Sequence, residues 1–264
     1  MIRRAFAFLV AALSFAPAVA SANPRPLPFT YIYETLGEGD AELEQYVDYV
    51  PTRALTVDNK RTWYGATQMQ TEFEYGITNR LELGLYVTYA PTPGSELAAA
   101  SHLTVGNGVK QRLRLRLAEA GEWPVDVALY GEVSENEREV ELEAKVILQR
   151  RISRLRLVTN LWAERGFYFD GSKEWVLHPT VGATVEATPT VQPGIEYWMR
   201  AEVGGDHDFN AGPQHYVGPT LLLAFGKLWW SSGVYYRLNE PKRALEPGDS
   251  FGHVWLRTVI GVGL

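Results

Sequence analysis

From about Glu42 to the last residue, apolar and polar side chains alternate with a period of two, the spacing that places the two sets on opposite faces of a β-strand. Leu81, Leu83, Leu85, Val87 and Tyr89 share one face of a segment whose other face carries Glu82, Gly84, Tyr86 and Thr88. Leu113, Leu115 and Leu117 likewise oppose Lys110, Arg112, Arg114 and Arg116, and Val125, Val127 and Leu129 oppose Asp126, Ala128 and Tyr130. Leu142, Ala144, Val146 and Leu148 oppose Glu141, Glu143, Lys145 and Gln149. Further on, Leu155, Leu157, Thr159 and Leu161 oppose Arg156, Asn160 and Trp162, and Val181, Ala183 and Val185 oppose Thr180, Thr184 and Glu186. Ile195, Tyr197, Met199 and Ala201 oppose Glu196, Trp198, Arg200 and Glu202.

The pattern predicts twelve strands, starting near Glu42, Thr62, Arg80, Ser101, Trp123, Arg138, Arg154, Glu174, Gln192, His215, Leu228 and Phe251. Short connectors near 76–79, 119–122, 151–153, 188–190 and 226–227 alternate with longer ones near 51–61, 90–100, 165–173, 204–214 and 239–250; 133–137 is a short exception on the long side. A soluble sandwich also alternates, but its strands average about 5 to 6 residues, whereas these run to about 10 or more, the length of a tilted membrane-crossing strand. The expected fold is therefore all-β: a closed antiparallel transmembrane β-barrel of about 12 strands over 42–264, with short periplasmic turns and longer extracellular loops. Closure removes sheet edges and pairs every backbone group, as the hydrocarbon layer requires.

Ahead of the barrel, Arg3 and Arg4 precede an apolar run from Ala5 to Ala20, followed by the small-residue cleavage patterns Ala18-Val19-Ala20 and Ala20-Ser21-Ala22. Residues 1–22 thus read as a signal peptide, too short for a spanning helix. The segment 23–41 carries Pro24, Pro26 and Pro28 with Tyr31 and Tyr33. Its prolines bar it from an interior strand, leaving it either as a plug inserted in the lumen or as a loose periplasmic stretch.

Composition changes this picture little: 46% hydrophobic and 21% charged residues fit many folds. No spanning-helix stretch follows Asn23, and the absence of cysteine excludes disulfides and a lipidated cysteine. The net charge of −6 is spread without a basic block, so no nucleic-acid partner is expected. Tyr75 and Trp230 on the outward register near short turns, and Tyr89 and Tyr236 near long loops, match the aromatic girdles of a membrane barrel.

The chain ends with Leu256, Thr258, Ile260, Val262 and Leu264 on one face, which resembles the C-terminal strand signal of outer-membrane barrels except that it closes on Leu264. Tyr31–Thr35, Glu42–Val47, Thr71–Leu83, Glu141–Gln149 and His215–Pro219 together resemble an uncharacterised family of Gram-negative outer-membrane β-barrel proteins and, more remotely, barrels associated with aromatic-hydrocarbon uptake. That resemblance implies fold and cell outer membrane location and supplies no catalytic residue. The partners expected are outer-membrane lipid, the barrel-assembly machinery during insertion, and a small solute of unknown identity.

Candidate chemistry lies on the inward register, where Lys110, Arg112, Arg114, Arg116, Glu141, Glu143, Lys145, Arg156, Glu196, Arg200, Glu202, Arg237 and Arg257 bring charges of both signs together. Two readings remain. Facing rings of charge would make a passive channel for small polar or charged solutes, or the same groups would pair across a twelve-strand lumen, narrower than that of a 16–18-stranded porin, and fill it. Arg112, Arg114 and Arg116 repel one another along one strand and should face carboxylates such as Glu141 or Glu143, or an anionic solute. A lipid hydrolase is a distant third: Ser250 falls in a loop and His253 on the inward register, without the geometry of a lipid-facing nucleophile. Asp206, Asp208 and Asn210 have only part of a calcium-loop spacing, and His102, His178, His207 and His215 have no metal-site spacing. No enzyme activity, metal or cofactor is expected.

Overall fold

The computed structural model describes residues 22–50, 66–92, 102–206, 213–239 and 253–264, with backbone alone at 66, 90–92 and 102–107. Among the described residues thirteen strands follow one another: β1 (Ala41–Val50), β2 (Ala66–Gly76), β3 (Leu81–Thr92), β4 (His102–Arg116), β5 (Asp126–Asn136), β6 (Glu139–Ile152) and β7 (Leu155–Tyr168), then β8 (Lys173–Leu177), β9 (Thr180–Val185), β10 (Val191–Gly205), β11 (Gln214–Phe225), β12 (Leu228–Arg237) and β13 (Val254–Gly263). Each pairs antiparallel with its neighbours, and β1 pairs with both β2 and β13, so the sheet closes on itself.

β8 and β9 lie end to end between β7 and β10 and form one stave, which gives twelve staves from thirteen strands. The break falls at His178-Pro179, where proline has no N–H for the ladder. His178 N still bonds Trp162 O at 2.9 Å and Met199 N bonds Pro179 O at 3.1 Å, which keeps the two halves in line. Beside the break the wall carries a groove of about 630 Å³ lined by Leu129, Ala144, Leu161 and Pro179 among others.

Burial is inverted relative to a soluble protein. Leu85, Leu113, Leu129, Leu142, Leu161 and Ile195 are exposed, while Glu44, Glu72, Glu82, Arg114 and Glu196 have no accessible surface. The apolar set faces outward and the charged set faces in, the arrangement of a transmembrane barrel. Tyr75, Trp230 and Tyr236 are exposed on the outer wall near the strand ends.

The connector expected over 165–173 is shorter than the sequence suggests. β7 runs on to Tyr168, Tyr168 N bonds Ser172 O, and Gly171 takes a φ of 93°, so only 169–172 remain as a turn. Most of the other long connectors fall at 51–65, 93–101, 207–212 and 240–252, outside the described residues, as does 1–21, so the signal peptide expected over 1–22 lies there except for Ala22.

Candidate functional site

The lumen is occupied by the chain's own N-terminal segment. Residues 22–36 run inward from the barrel end that holds Ala41 and Gly263, turn, and come back, with Leu27, Thr30, Tyr33 and Leu36 at most 2% exposed. Three prolines deny this stretch a ladder of its own, so wall side chains take its amide groups. Asn23 N donates to Glu42 Oε2 at 2.8 Å, Tyr33 N to Gln149 Oε1 at 3.2 Å and Leu36 N to Glu82 Oε2 at 2.7 Å. At the tip of the plug, Glu196 accepts from the backbone N–H groups of Phe29 and Thr30 and from the Tyr235 hydroxyl. Asn160 takes both sides of Tyr31: Oδ1 accepts from Tyr31 N at 2.7 Å and Nδ2 donates to Tyr31 O at 2.9 Å. The two limbs are tied to each other by Asn23 Nδ2 to Glu34 O at 3.1 Å.

Apolar contact adds a seat. Leu27, Tyr31, Ile32 and Tyr33 pack against Ala128, Tyr130, Ile147 and Val158. Ala128 faces Ile147 across β5 and β6, and Val158 faces Gly182 across β7 and β9, so these positions form one patch on the inner wall. A Cβ on Gly182 would lie 2.5 Å from Leu27 Cδ1, so glycine is what lets the plug close in. Phe29 sits among Trp198 (centroids 4.6 Å apart), Tyr235 (5.1 Å) and Trp255 (6.1 Å), with the Arg257 guanidinium 3.6 Å from its ring centre.

The charged residues form paired clusters. Arg112 Nε donates to Glu72 Oε1 at 2.7 Å and Nη1 to Glu82 Oε1 at 2.6 Å, and Nη2 pairs with Glu74. Arg114 Nη2 spans both oxygens of Glu82, at 2.7 and 2.9 Å. These partners correct the expectation that Glu141 or Glu143 would serve: the register sets Glu82 opposite Arg114 and Gly84 opposite Arg112, and the missing side chain at Gly84 lets the guanidinium cross to β2. Arg116 is a rim residue, bonded to Asn79 O and 3.4 Å from Glu119.

Lys110 pairs with Glu132 at 2.9 Å, and Lys145 pairs with Glu143 while its ammonium stands 3.7 Å from the Trp162 ring centre. Glu141 adjoins Glu143 and Glu164. Arg156 reaches Glu34 of the plug at 3.2 Å, Arg200 bonds Glu202 at 2.9 Å, and Arg257 clasps Asp48 with two bonds of 2.7 Å. Arg237 stands opposite Tyr216 on the β11–β12 ladder. The structure thus brings Lys110, Arg112, Arg114 and Arg257 into cross-strand pairs and Arg156 and Glu196 into contact with the plug, while Glu143–Lys145 and Arg200–Glu202 pair along a single strand.

Two groups of three carboxylates have oxygens within 4.8 Å of one another, Glu42/Glu44/Glu74 and Glu141/Glu143/Glu164. Arg25 lies 3.3 Å from Glu44, and Arg112 and Lys145 pair with Glu74 and Glu143, so resident cations neutralise part of each. Asp206 ends the β8–β10 ladder by accepting from Lys173 N at 2.9 Å, while Asp208, Asn210, His207 and Ser250 lie outside the described residues. His178 stacks on Trp162 at 4.0 Å, His215 Nδ1 is 2.7 Å from Tyr197 Oη, and His253 is exposed.

Sequence reasoning missed the plug's seat and the amide acceptors Gln149 and Asn160. Its signal was present: Ile147 and Val158 are apolar at inward positions that the alternation otherwise fills with polar groups. An apolar patch on a lumen wall needs a cover.

No protein-family model matches the sequence, and no curated protein matches it. Solved structures do resemble it in fold. The COG4313 outer membrane channel from Pseudomonas putida F1 aligns with a TM-score of 0.62 at 10% identity, covering 88% of this chain and 98% of that one. The NanC porin aligns with a TM-score of 0.56 at 10% identity over 84% of this chain and 98% of that chain. LpxR from Salmonella typhimurium aligns at 0.50 and 8% identity over 84% of this chain and 99% of that one. The fold read from the alternation is thus that of known outer-membrane barrels, and the protein is a twelve-stave, closed antiparallel β-barrel of that kind.

Proposed function

We propose that the protein is an integral, multi-pass outer-membrane channel for small polar or charged solutes, non-enzymatic, and closed by its own N-terminal segment until that segment leaves the lumen. The observation that carries this reading is how the plug is held. Its backbone N–H groups bond to side chains of the wall at Glu42, Glu82, Gln149, Asn160 and Glu196, and every one of these acceptors has a water substitute once the lumen hydrates. A plug fixed through polar contacts can therefore exchange with water, and it would leave behind a wall lined with Arg, Lys and Glu suited to charged solutes. Outer-membrane lipid would cover the apolar outer wall, and the barrel-assembly machinery would insert it.

A sealed barrel is the second reading, favoured by the apolar seat of Leu27 and Ile32 on Ile147 and Val158, which water does not replace. Planar-bilayer recording of the refolded, heat-modifiable protein separates the two. Discrete steps that scale with salt are expected of the channel; a folded protein that stays silent contradicts it. Cleavage of phospholipid by the folded barrel would contradict the non-enzymatic reading.

A further inference from the structure

We infer that the chain is cut between Ala22 and Asn23, and that the α-ammonium so formed on Asn23 is the ionic anchor of the plug, paired with the buried carboxylate of Glu42. The inference rests on reading the chain as an exported barrel, but not on its conducting anything.

Hydrolysis of the Ala22–Asn23 amide by an export peptidase takes one water: its oxygen goes to the Ala22 carbonyl carbon, and its two hydrogens end on the Asn23 nitrogen. The leader leaves as a carboxylate and Asn23 starts as an ammonium. Ala20 and Ala22 supply the small residues that such a peptidase reads.

The lumen is built to receive that charge. Asn23 N is 2.8 Å from Glu42 Oε2, and the other oxygen of Glu42 accepts from Trp229 Nε1 at 2.7 Å. Glu42 has no accessible surface, and these two donors, an amide and an indole N–H, are neutral and compensate a buried carboxylate poorly. Its neighbourhood is also short of positive charge. Glu42, Glu44, Glu72, Glu74 and Glu82 lie together around Arg25, Arg112 and Arg114, so five buried carboxylates share three guanidinium groups among the described residues. An ammonium at Asn23 adds a fourth cation at a distance already right for a charge-assisted bond.

The position is specific. Asn23 Nδ2 also bonds Glu34 O, which fixes the nitrogen over Glu42 and links the start of the plug to its returning limb. A cut after Ala20 would put the ammonium two residues upstream and leave Glu42 facing an ordinary amide. Ala22 fills a small space beside Trp229 and Val259; with the leader gone, that space takes the water that the remaining ammonium hydrogens need.

The test uses the full chain expressed with its leader and extracted from the outer membrane. Intact mass should give a protein that starts at Asn23. An amine-reactive ester near neutral pH, followed by peptide mapping, should then label the Asn23 amine about tenfold or more slowly in the folded barrel than after heat unfolding, because reaction requires local opening. Glu42→Gln should raise the folded-state rate several-fold. Should that variant fail to fold, Ala22→Leu, which moves the cut to follow Ala20 and changes no residue of the barrel wall, should yield a Ser21 amine labelled nearly as fast as in the unfolded chain. A native start other than Asn23, or equal labelling of Asn23 in folded and unfolded protein, overturns the inference.

Discussion

Asn160 on β7 grips Tyr31 of the plug with both ends of its amide, accepting from Tyr31 N at 2.7 Å and donating to Tyr31 O at 2.9 Å. This is the bonding a neighbouring strand would give, supplied by one side chain to a segment that has no strand beside it. Asn160→Leu keeps the size but strands both backbone groups, at a cost of about 1–3 kcal/mol to the docked plug. The open fraction in bilayer recordings should rise about fivefold or more. Unchanged occupancy of the closed state would show that Asn160 does not hold the plug.

Gly182 supplies space instead of bonds. Gly182→Leu drives a side chain into the position of Leu27, 2.5 Å from where its Cβ would stand, while the outward face of β9 is untouched. Closed time should shorten while the heat-modifiable band persists, because the clash lies with the plug and not with the ladder. A variant as tightly closed as the parent would place the seat elsewhere.

Arg112 belongs to the barrel's own stability. It bonds Glu72, Glu74 and Glu82 from three directions, and Arg112→Leu leaves those carboxylates buried without it, a loss of about 3–5 kcal/mol. The urea midpoint of the folded band should fall clearly, and Arg112→Lys should restore only part of it, since an ammonium lacks the planar fork.

Ser153 makes the opposite case. It sits in the tight turn between β6 and β7 with a φ of 54°, a left-handed conformation that costs a non-glycine residue about 1–2 kcal/mol. Ser153→Gly should raise the unfolding midpoint by an amount near the low end of that range, less the entropy glycine adds to the unfolded chain, with conductance unchanged. A fall in the midpoint would mean that the serine earns its place through contacts.

How much of this was legible in the sequence follows from what periodicity encodes. Alternation assigns each residue to a face, and it puts Arg112, Lys145 and Glu196 on the face that the structure buries. Pairing needs the register as well, a quantity that alternation does not contain; Arg112 therefore met Glu72 and Glu82 and not Glu141. The stave break was hinted at by Pro179 inside an otherwise regular strand. The plug had prolines to say what it was not, but its position depends on Leu27 and Ile32 meeting Ile147, Val158 and Gly182, which lie far from the plug in sequence. The 165–173 connector is shorter than expected because the ladder continues through it, Gly166 pairing with Glu174 and Phe167 with Lys173, and that pairing is again a matter of register.

The most direct test of a channel closed by its own N-terminus is a reversible lock. The chain has no cysteine, so Leu27→Cys with Gly182→Cys introduces a single thiol pair joining plug to wall. Single-channel recording of this variant should show silence when oxidised and discrete, salt-dependent steps in the same bilayer after reduction. Equal conductance in both states would mean that ions pass a plug that is locked in place, and silence in both would mean a sealed barrel; either result contradicts the account.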